Sequence, residues 1–569
     1  MHSTSRVVGR GLAVIGVFVA GLAYLYRPLL ADGFVSGDVF DARIQIAILE
    51  NWSNCLSGRG DCLSPNYFHP TPVTLGYNDG YLVSGLIYAV GRRFGLDPFL
   101  AYEAVAVAVR ACGFAALIGF ATRVLRLSFW FSLLAALLWL ISLNTYIQVA
   151  HSQLLYSAFF PIGLLLLVRI EEAVGGLDTV EARASLRHAC TSALHLGAFA
   201  MVWAVTAYYS FFFFTLFAFL YVAAFFIRRR DEAAAVVRAL ISRPGLIALL
   251  TGAAACAPLG LTLVYGRALR DTGGHSWFAG SAPRLYELFN VGPNALVWSP
   301  VLRPVYALVS GRALTMSEMS TGFPLLFLAL VVVGTAQASA ATNPLALGNA
   351  ADAAERHRRD VLAALSLAAA GTILLVLAFG GGYSAWKIMM QVFPGASAIR
   401  VPSRAMLLVT PVLCLIVAAT LSSLRNRFQG RRWIDPALAA LVVFLLAEQI
   451  QTRPDFHLDR HTEMTFLASL PPPPDECQSF YVSVPRFPRW SDTIIDRYYI
   501  HAVDAMLIAA LHRLPTLNGM ATFTPKGWDL TAPFEPDYTR RVAAHAAAHG
   551  LDGVCALDLK ARRWSLADL

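Results

Sequence analysis

The first polar segment of the chain opens with the stretch Gly37-Asp38-Val39-Phe40-Asp41-Ala42-Arg43, which follows the first long apolar run. The stretch places two carboxylates three residues apart and a guanidinium group two residues further on. An isolated charge is costly in a bilayer, so charged groups beside a span are usually paired or functional. The side of the membrane that this stretch faces therefore decides which substrates can reach it.

The composition is that of an integral membrane protein. The 569 residues are 57% hydrophobic and 14% charged, whereas soluble domains carry about 25% charged residues. The net charge of +9 comes from short basic clusters between apolar runs, and long basic tracts with interleaved aromatics are absent from the sequence. We therefore predict a lipid bilayer as partner, and no nucleic acid.

About eleven apolar runs approach the length of about 20 residues that a membrane-crossing helix needs. The first run has a basic start and no small-residue cleavage site, so we interpret it as a retained signal-anchor helix. The predicted spans lie near residues 7–30, 100–122, 128–143, 150–169, 190–206, 209–227, 244–265, 322–340, 360–379, 404–421 and 434–450. This pattern predicts a polytopic α-helical membrane protein.

Basic clusters alternate with polar segments along the chain, as the positive-inside rule requires. The clusters assigned to the cytoplasm are Arg6/Arg10, Arg123/Arg126, Arg183/Arg187, Arg228–Arg230, Arg356/Arg358/Arg359 and Arg425/Arg427/Arg431/Arg432. The segments 31–99, 266–321, 380–403 and 451–569 then lie outside. An odd number of spans puts the N-terminus in the cytoplasm and the C-terminal segment outside.

The cysteines support this topology. Four of the eight lie within predicted spans, and the cytoplasmic segments contain none. Cys55 and Cys62 share the first outside segment, and Cys477 and Cys555 share the C-terminal segment. Even numbers of cysteines in an oxidising compartment indicate two disulfides, and the alternative is four free thiols.

We predict two domains. Residues 1–450 form a transmembrane module that includes the first outside loop, 31–99, and residues 451–569 form a small extracytoplasmic α/β domain. The predicted strands of this C-terminal domain are Ser479–Val484 and Val554–Leu559, and its predicted helices are 495–513 and 536–550.

The candidate catalytic residues are Asp38 and Asp41. Residues three apart share one face of a helix, so both carboxylates could point into one cavity if the first span continues through them. Paired carboxylates suit a general base that deprotonates an acceptor hydroxyl, or a divalent metal site. The alternative is a helix cap with a salt bridge between Asp41 and Arg43.

Other polar residues are candidates for supporting these acids. His69 and Asp79 lie in the same loop as the acids. Arg110 falls in the middle of the second span, where a charge is costly, so we expect it to pair with an acid such as Asp38, Asp41 or Glu103. His151 and Gln153 open the fourth span from the same face, where a lone histidine is more often structural.

Arg400 and Arg404 flank a proline-containing turn before the tenth span, and Lys387 lies in a predicted interfacial helix over residues 384–393. Arginine forks suit phosphate oxygens, so we predict that these three residues bind a lipid phosphate. The alternative is a simple anchor for the span. The sequence contains no nucleotide-binding motif and no Cys/His metal motif, so ATP-driven work is not expected.

A Gly-Asp-x-x-Asp opening after the first span, many further spans and an outside α/β tail together resemble the GT-C superfamily of membrane glycosyltransferases. The resemblance is nearest to the bacterial YfhO-like proteins and their relatives. It is carried by Gly37–Arg43, by Asn78-Asp79-Gly80, by Arg400-Val401-Pro402-Ser403-Arg404, and by the tail segments Leu517–Met520 and Pro525–Trp528. The acids differ from the adjacent acidic pair of several members of the superfamily, because here they are three residues apart.

The resemblance implies an enzyme of the bacterial inner membrane that transfers a sugar from a polyprenyl-phosphate donor to an envelope acceptor. The base would be Asp38 or Asp41, and no cofactor is implied beyond a possible divalent metal. Two other functions remain open. One is a lipid-linked sugar flippase or transporter, and the other is a non-catalytic envelope-assembly protein of the same fold.

Overall fold

The computed structural model describes residues 2–149, 151–175, 182–315, 317–340, 350–453, 457–490 and 492–567. Within them, nine helical stretches are long and apolar enough to cross a membrane. Two shorter apolar helices, Leu325–Ser339 and Ile434–Ala447, lie where the eighth and eleventh spans are predicted. The predicted polytopic helical fold is confirmed, although in the described part of the chain nine helices, and not eleven, reach full spanning length.

The helices are named in chain order. They are α1 (His2–Leu25), α2 (Arg27–Asp32), α3 (Asp41–Leu56), α4 (Leu82–Arg93), α5 (Pro98–Arg123), α6 (Phe129–Leu140), α7 (Leu143–Ile147), α8 (Phe160–Gly175), α9 (Ala182–Thr206), α10 (Tyr208–Arg228), α11 (Arg230–Ile241), α12 (Pro244–Thr272), α13 (Ser299–Ser310), α14 (Leu325–Ser339), α15 (Ala350–Val376), α16 (Ala385–Val392), α17 (Ala405–Arg427), α18 (Ile434–Ala447), α19 (Arg460–Ala468), α20 (Ile500–His512) and α21 (Tyr538–His549). The strands are β1 (Phe34–Val35), β2 (Leu458–Asp459), β3 (Ser479–Val484), β4 (Val554–Asp558) and β5 (Arg563–Leu566).

Local sequence signals set several helix boundaries. The Asp97 carboxylate caps α5 by accepting hydrogen bonds from the backbone N–H groups of Phe99 and Leu100, at 3.0 and 3.2 Å. Pro98 fills the first helical position, where the missing N–H is not needed. Helix α10 ends at Arg228, whose positive charge complements the negative C-terminal end of the helix dipole.

The centre of the bundle is the span Pro402–Arg427, which contains α17. Of the 18 consecutive residues that make up its most apolar part, 94% are buried within the protein. Helix α17 packs against α6, α14 and α15. Because α17 begins at Ala405, the preceding residue, Arg404, is held at the head of the most enclosed helix. This placement sets the position of Arg404, a candidate phosphate-binding residue, at the end of the bundle.

The four segments predicted to lie outside meet at one end of the bundle. In the first loop, β1 pairs antiparallel with β2 at the start of the C-terminal segment, where Phe34 lies opposite Asp459. The tail helix α20 packs on α3 of the same loop. The backbone N–H of His275 donates to the carbonyl of Ser397 at 2.8 Å and so joins the second and third segments. One shared face for all four segments is what the predicted topology requires.

The C-terminal segment forms a small α/β unit. Strand β3 pairs in parallel with β4, and β4 pairs antiparallel with β5. The chain passes through α20 and α21 between the two parallel strands, so the predicted strands and helices are confirmed. Disulfides join Cys477, just before β3, to Cys555 on β4, and Cys55 to Cys62 in the first loop. Both predicted pairings are therefore present.

Candidate active site

A polar cavity opens where segments that are predicted to lie outside converge on the bundle. Its lining comes from the start of α3, the loop before α4, the approach to α8, the start of α10, the turn before α17 and the C-terminal segment. The lining residues include Asp41, Gln45, Asn78, Asp79, Tyr81, His151, Gln153, Tyr209, Arg400, Arg404, Tyr499, Met520, Ala521 and Thr522. Four predicted site residues, Asp41, Asp79, Arg400 and Arg404, are thus brought together from distant parts of the chain.

The two aspartates of the opening stretch have different environments. The first span ends at Leu25, so it does not continue through them; Asp38 lies in the turn before α3, and Asp41 is the first residue of α3. The Asp38 carboxylate accepts hydrogen bonds from the N–H groups of Phe40 and Asp41, at 2.9 and 2.6 Å, and so stabilises the turn that leads into this helix. The side chain of Asp41 is 29% exposed and has an oxygen 3.6 Å from Nε2 of His151. Asp38 stabilises this turn, whereas Asp41 faces the cavity.

The pKa of Asp41 is raised to about 7. Burial is the largest cause because it penalises the charged form, and the negative charge of Asp38 adds to it. The positive charges of Arg404 and Arg400 act in the opposite direction. A carboxyl group that titrates near neutral pH is suited to general base catalysis.

Asp79 supplies a second carboxylate to the cavity. One of its oxygens accepts a hydrogen bond from the backbone N–H of Tyr208 at 2.7 Å, which fixes its orientation. Burial raises its pKa to about 6, against the lowering effects of that hydrogen bond and of Arg404. The next residue must be a glycine, because a Cβ atom at Gly80 would overlap the carbonyl oxygen of Val205. Gly80 therefore allows the loop to pack closely against α9, with the neighbouring Asp79 carboxylate at the cavity.

The two arginines form the basic side of the cavity. The side chain of Arg404 is only 5% exposed and lies over the ring of Tyr209, with its guanidinium carbon 5.1 Å from the ring centroid. The Tyr209 hydroxyl accepts a hydrogen bond from the backbone N–H of Arg400 at 2.8 Å and holds the turn before α17 in place. Both guanidinium groups lie 3.5 Å from one oxygen of Glu318. This arrangement presents two positive charges to the cavity.

The C-terminal segment completes the cavity wall. The backbone N–H of Thr522 donates to Oδ1 of Asn78 at 3.1 Å, and Nδ2 of the same side chain donates to the carbonyl of Met520 at 3.4 Å. Tyr499, which precedes α20, closes another part of the wall. The tail is therefore part of the candidate site and is fastened to the first loop beside Asp79.

The predicted site residues that do not line the cavity are Asp38, Arg43, His69, Arg110 and Lys387. Arg43 is fully buried and pairs with Glu463 at 2.5 Å and with Asp504 at 3.6 Å, so the alternative salt bridge between Asp41 and Arg43 is not formed. These contacts lock α3 to the tail.

His69 and Arg110 also have partners elsewhere. The backbone N–H of His69 donates a hydrogen bond to the carbonyl of Thr516 at 3.0 Å. The backbone carbonyl of His69 lies 3.1 Å from Nε2 of His545 in the tail. Arg110 donates to the hydroxyl of Tyr26 at 2.6 Å. Of the three acids considered for Arg110, the nearby one is Glu103, which lies on the same helix α5.

Lys387 lies on α16, which confirms the predicted short helix, and its side chain is exposed. Its neighbour Trp386 is fully buried and stacks on Phe213 with ring centroids 5.3 Å apart. The tryptophan thus anchors α16 into the bundle, and Lys387 does not join the two arginines at the cavity.

Several site residues carry no clear signal in the sequence. His151 and Gln153 open the fourth predicted span, where a lone histidine is more often structural, yet both line the cavity. The pKa of His151 lies well below its usual range because of burial and the charges of Arg404 and Arg400, so the ring is neutral beside Asp41. Glu318 lies in a loop without a recognisable motif. Only contacts with distant parts of the chain bring these residues to the candidate site.

Among the residues that the structure describes, no group of three or more His, Cys, Asp or Glu side chains is arranged to hold a metal ion. The acids of the cavity have the donor chemistry for a divalent cation, but their described positions do not form a three-ligand set.

Comparisons with known proteins give structural likenesses only. No family model and no curated protein matches the chain. The chain is similar to an oligosaccharyltransferase of Archaeoglobus fulgidus, solved with Zn and sulfate (TM-score 0.49, 12% identity, covering 95% of this chain and 67% of that one). It is also similar to the arabinofuranosyltransferase AftD from Mycobacteria (TM-score 0.44, 15% identity, covering 90% of this chain and 32% of that one).

A third similar structure is ArnT from Cupriavidus metallidurans bound to undecaprenyl phosphate (TM-score 0.32, 12% identity, covering 90% of this chain and 85% of that one). This chain thus spans about two thirds of the oligosaccharyltransferase and about one third of the arabinofuranosyltransferase. All three likenesses have TM-scores below 0.5 and carry no argument about family or function.

Proposed function

We propose that this protein is an integral membrane glycosyltransferase of the bacterial inner membrane. It transfers a sugar from a polyprenyl-phosphate carrier to a hydroxyl group of an envelope glycan, lipid or protein on the outer face. One observation carries the proposal: Asp41, with a pKa near neutrality, shares a cavity with Arg400 and Arg404. A base and an anion-binding pair are the two groups that glycosyl transfer from a phosphate leaving group needs.

In the proposed reaction, Asp41 takes the proton of the acceptor hydroxyl as its oxygen forms a bond to the anomeric carbon of the donor sugar. The bond between that carbon and the phosphate oxygen breaks, and its electron pair stays on the polyprenyl phosphate. Arg400 and Arg404 stabilise this developing negative charge. Attack opposite the leaving group inverts the anomeric configuration.

Two neighbours support Asp41 in this role. His151 is neutral and lies 3.6 Å from the carboxylate, so it can orient the base without neutralising it. Asp79 is held by its bond to the Tyr208 N–H and can accept a hydrogen bond from a second acceptor hydroxyl. We infer that the cavity recognises a polyhydroxylated acceptor.

The test is a donor screen with the full-length protein in lipid nanodiscs. A panel of polyprenyl-phosphate sugars is supplied with a mixed envelope-glycan acceptor fraction, and release of free polyprenyl phosphate is measured. We expect turnover with one donor class and a loss of about 100-fold in the variant Arg404→Gln. Arg59→Gln is the matched control, since Arg59 is an exposed arginine of the first outside loop. Turnover that Arg404→Gln leaves intact, or no turnover with any donor, would contradict the proposal.

A further inference from the structure

Glu318 is the one described acid in ion-pair contact with both Arg400 and Arg404. A single carboxylate oxygen, Oε1, lies 3.5 Å from a terminal nitrogen of each guanidinium group. Close charge-assisted hydrogen bonds have nitrogen–oxygen distances of about 2.7–2.9 Å, and the strong arginine–carboxylate geometry uses two oxygens. Glu318 therefore offsets the positive charge of the pair without saturating its hydrogen-bond donors.

Arg404 retains an unused donor. Its Nε is buried and has no hydrogen-bond partner among the residues that the structure describes. Buried donors are nearly always paired in proteins, and each exception calls for an explanation. A phosphate group, which offers more oxygens than one carboxylate, would satisfy this donor together with the terminal nitrogens.

The backbone around Glu318 is held by hydrogen bonds from two other elements, whereas its side chain reaches solvent. The Ser403 hydroxyl donates to the carbonyl of Glu318 at 3.2 Å, and Nε2 of Gln148 donates to the carbonyl of Ser317 at 2.8 Å. The side chain of Glu318 is 37% exposed. Rotation of this side chain toward solvent would uncover both arginines without moving the loop.

We propose that Glu318 is an internal anion latch. Its carboxylate occupies the arginine pair in the resting protein and is displaced by the phosphate of the lipid substrate. This inference rests on the proposed function, since it takes the arginine pair as the phosphate site. The same competition loosens the hold on the released polyprenyl phosphate, a monoester that carries more negative charge than the sugar-linked diester. The latch thus favours product release and reduces the net positive charge of the empty site.

The experiment measures binding of farnesyl phosphate, a short polyprenyl phosphate, to the full-length protein in nanodiscs by calorimetry. In Glu318→Gln the competing charge is removed, so farnesyl phosphate should bind about threefold to tenfold more tightly. Asp32→Asn is the matched control, because it removes one exposed outside charge that contacts neither arginine. It should leave the affinity unchanged, and uncharged farnesol should show no gain in any variant. Unchanged or weaker binding by Glu318→Gln would overturn the latch.

A second variant guards against misfolding. Glu318→Asp keeps the charge but withdraws the carboxylate by one methylene, so its affinity should also rise, by less than that of Glu318→Gln. Failure of the latch is distinguishable from failure of the proposed function. Wild-type protein that binds farnesyl phosphate in an Arg404-dependent way, with no gain in either Glu318 variant, overturns the latch alone. No Arg404-dependent binding in any variant contradicts the phosphate site itself.

Discussion

Asp41 is the residue at which we expect activity and stability to respond in opposite directions. Its carboxylate is held in a partly enclosed cavity beside the charge of Asp38, and these surroundings disfavour its ionised form. The substitution Asp41→Asn removes the base but keeps the size of the side chain. We therefore expect an inactive protein that is more stable than the wild type.

The magnitude follows from the pKa. A shift from an ordinary value of 3.8 to about 7 corresponds to about 4 kcal/mol, at about 1.4 kcal/mol per pKa unit. The side chain is 29% exposed, and solvent screening reduces the penalty, so we expect Asp41→Asn to gain about 1–2 kcal/mol above pH 7. The sign follows because the folded protein binds a proton that the unfolded chain has lost, so wild-type stability falls as pH rises from about 4 to 7.

Two measurements check this prediction. Thermal unfolding of both proteins at pH 5 and pH 8 should show a gain for Asp41→Asn that is larger at pH 8. Sugar transfer should fall by about 10²–10⁴-fold, the usual contribution of a general base. In the wild type, the rate should rise with pH through a midpoint near the Asp41 pKa of about 7.

Specific results would refute the reasoning. Retained transfer by Asp41→Asn would remove this residue from the reaction. A loss of stability at pH 8 would mean that the carboxylate is a structural partner and not a strained functional group. A gain that is equal at both pH values would show that titration of Asp41 is not its cause.

Two further predictions concern the turn before α3 and the tail. Because the charge of Asp38 raises the pKa of Asp41, Asp38→Asn should keep the hydrogen bonds of this turn and most activity but move the pH–rate midpoint below about 7. Lost activity or an unmoved midpoint would argue against this division of roles. Removing the Cys477–Cys555 bridge by double alanine substitution opens a link between residues 78 positions apart and should cost about 2–5 kcal/mol in thermal unfolding. Cys112→Ala, at an exposed free cysteine, should cost little, and equal losses in both proteins would contradict the prediction.

The two acids of the opening stretch have different surroundings. The spacing of Asp38 and Asp41 predicts either a catalytic pair or a helix cap with a salt bridge between Asp41 and Arg43. In the structure, Asp38 accepts hydrogen bonds in the turn before α3, and Asp41 is the acid that faces the cavity. Sequence reasoning could not separate them, because both fit the start of a helix equally well. Which of the two acids faces the cavity depends on how distant parts of the chain pack around α3.

Arg43 and Glu318 illustrate what sequence reasoning missed. Arg43 was considered a partner for its near neighbour Asp41, but it pairs with Glu463, 420 residues away. Glu318 has no motif and gains its significance only from contact with Arg400 and Arg404. Long-range pairs of this kind leave no periodic pattern in the chain.

The sequence by itself determined the apolar spans, the shared face of the polar segments, the two cysteine pairs and the strands and helices of the tail. These features follow from hydropathy, the distribution of basic residues and local helix and strand preferences, all of which act over short stretches of chain. Only the tertiary structure decided that Asp41 and Asp79 share a cavity with Arg404. The physical reason is that helix packing sets the rotation of each element, and rotation determines which side chains meet and how far each is removed from water.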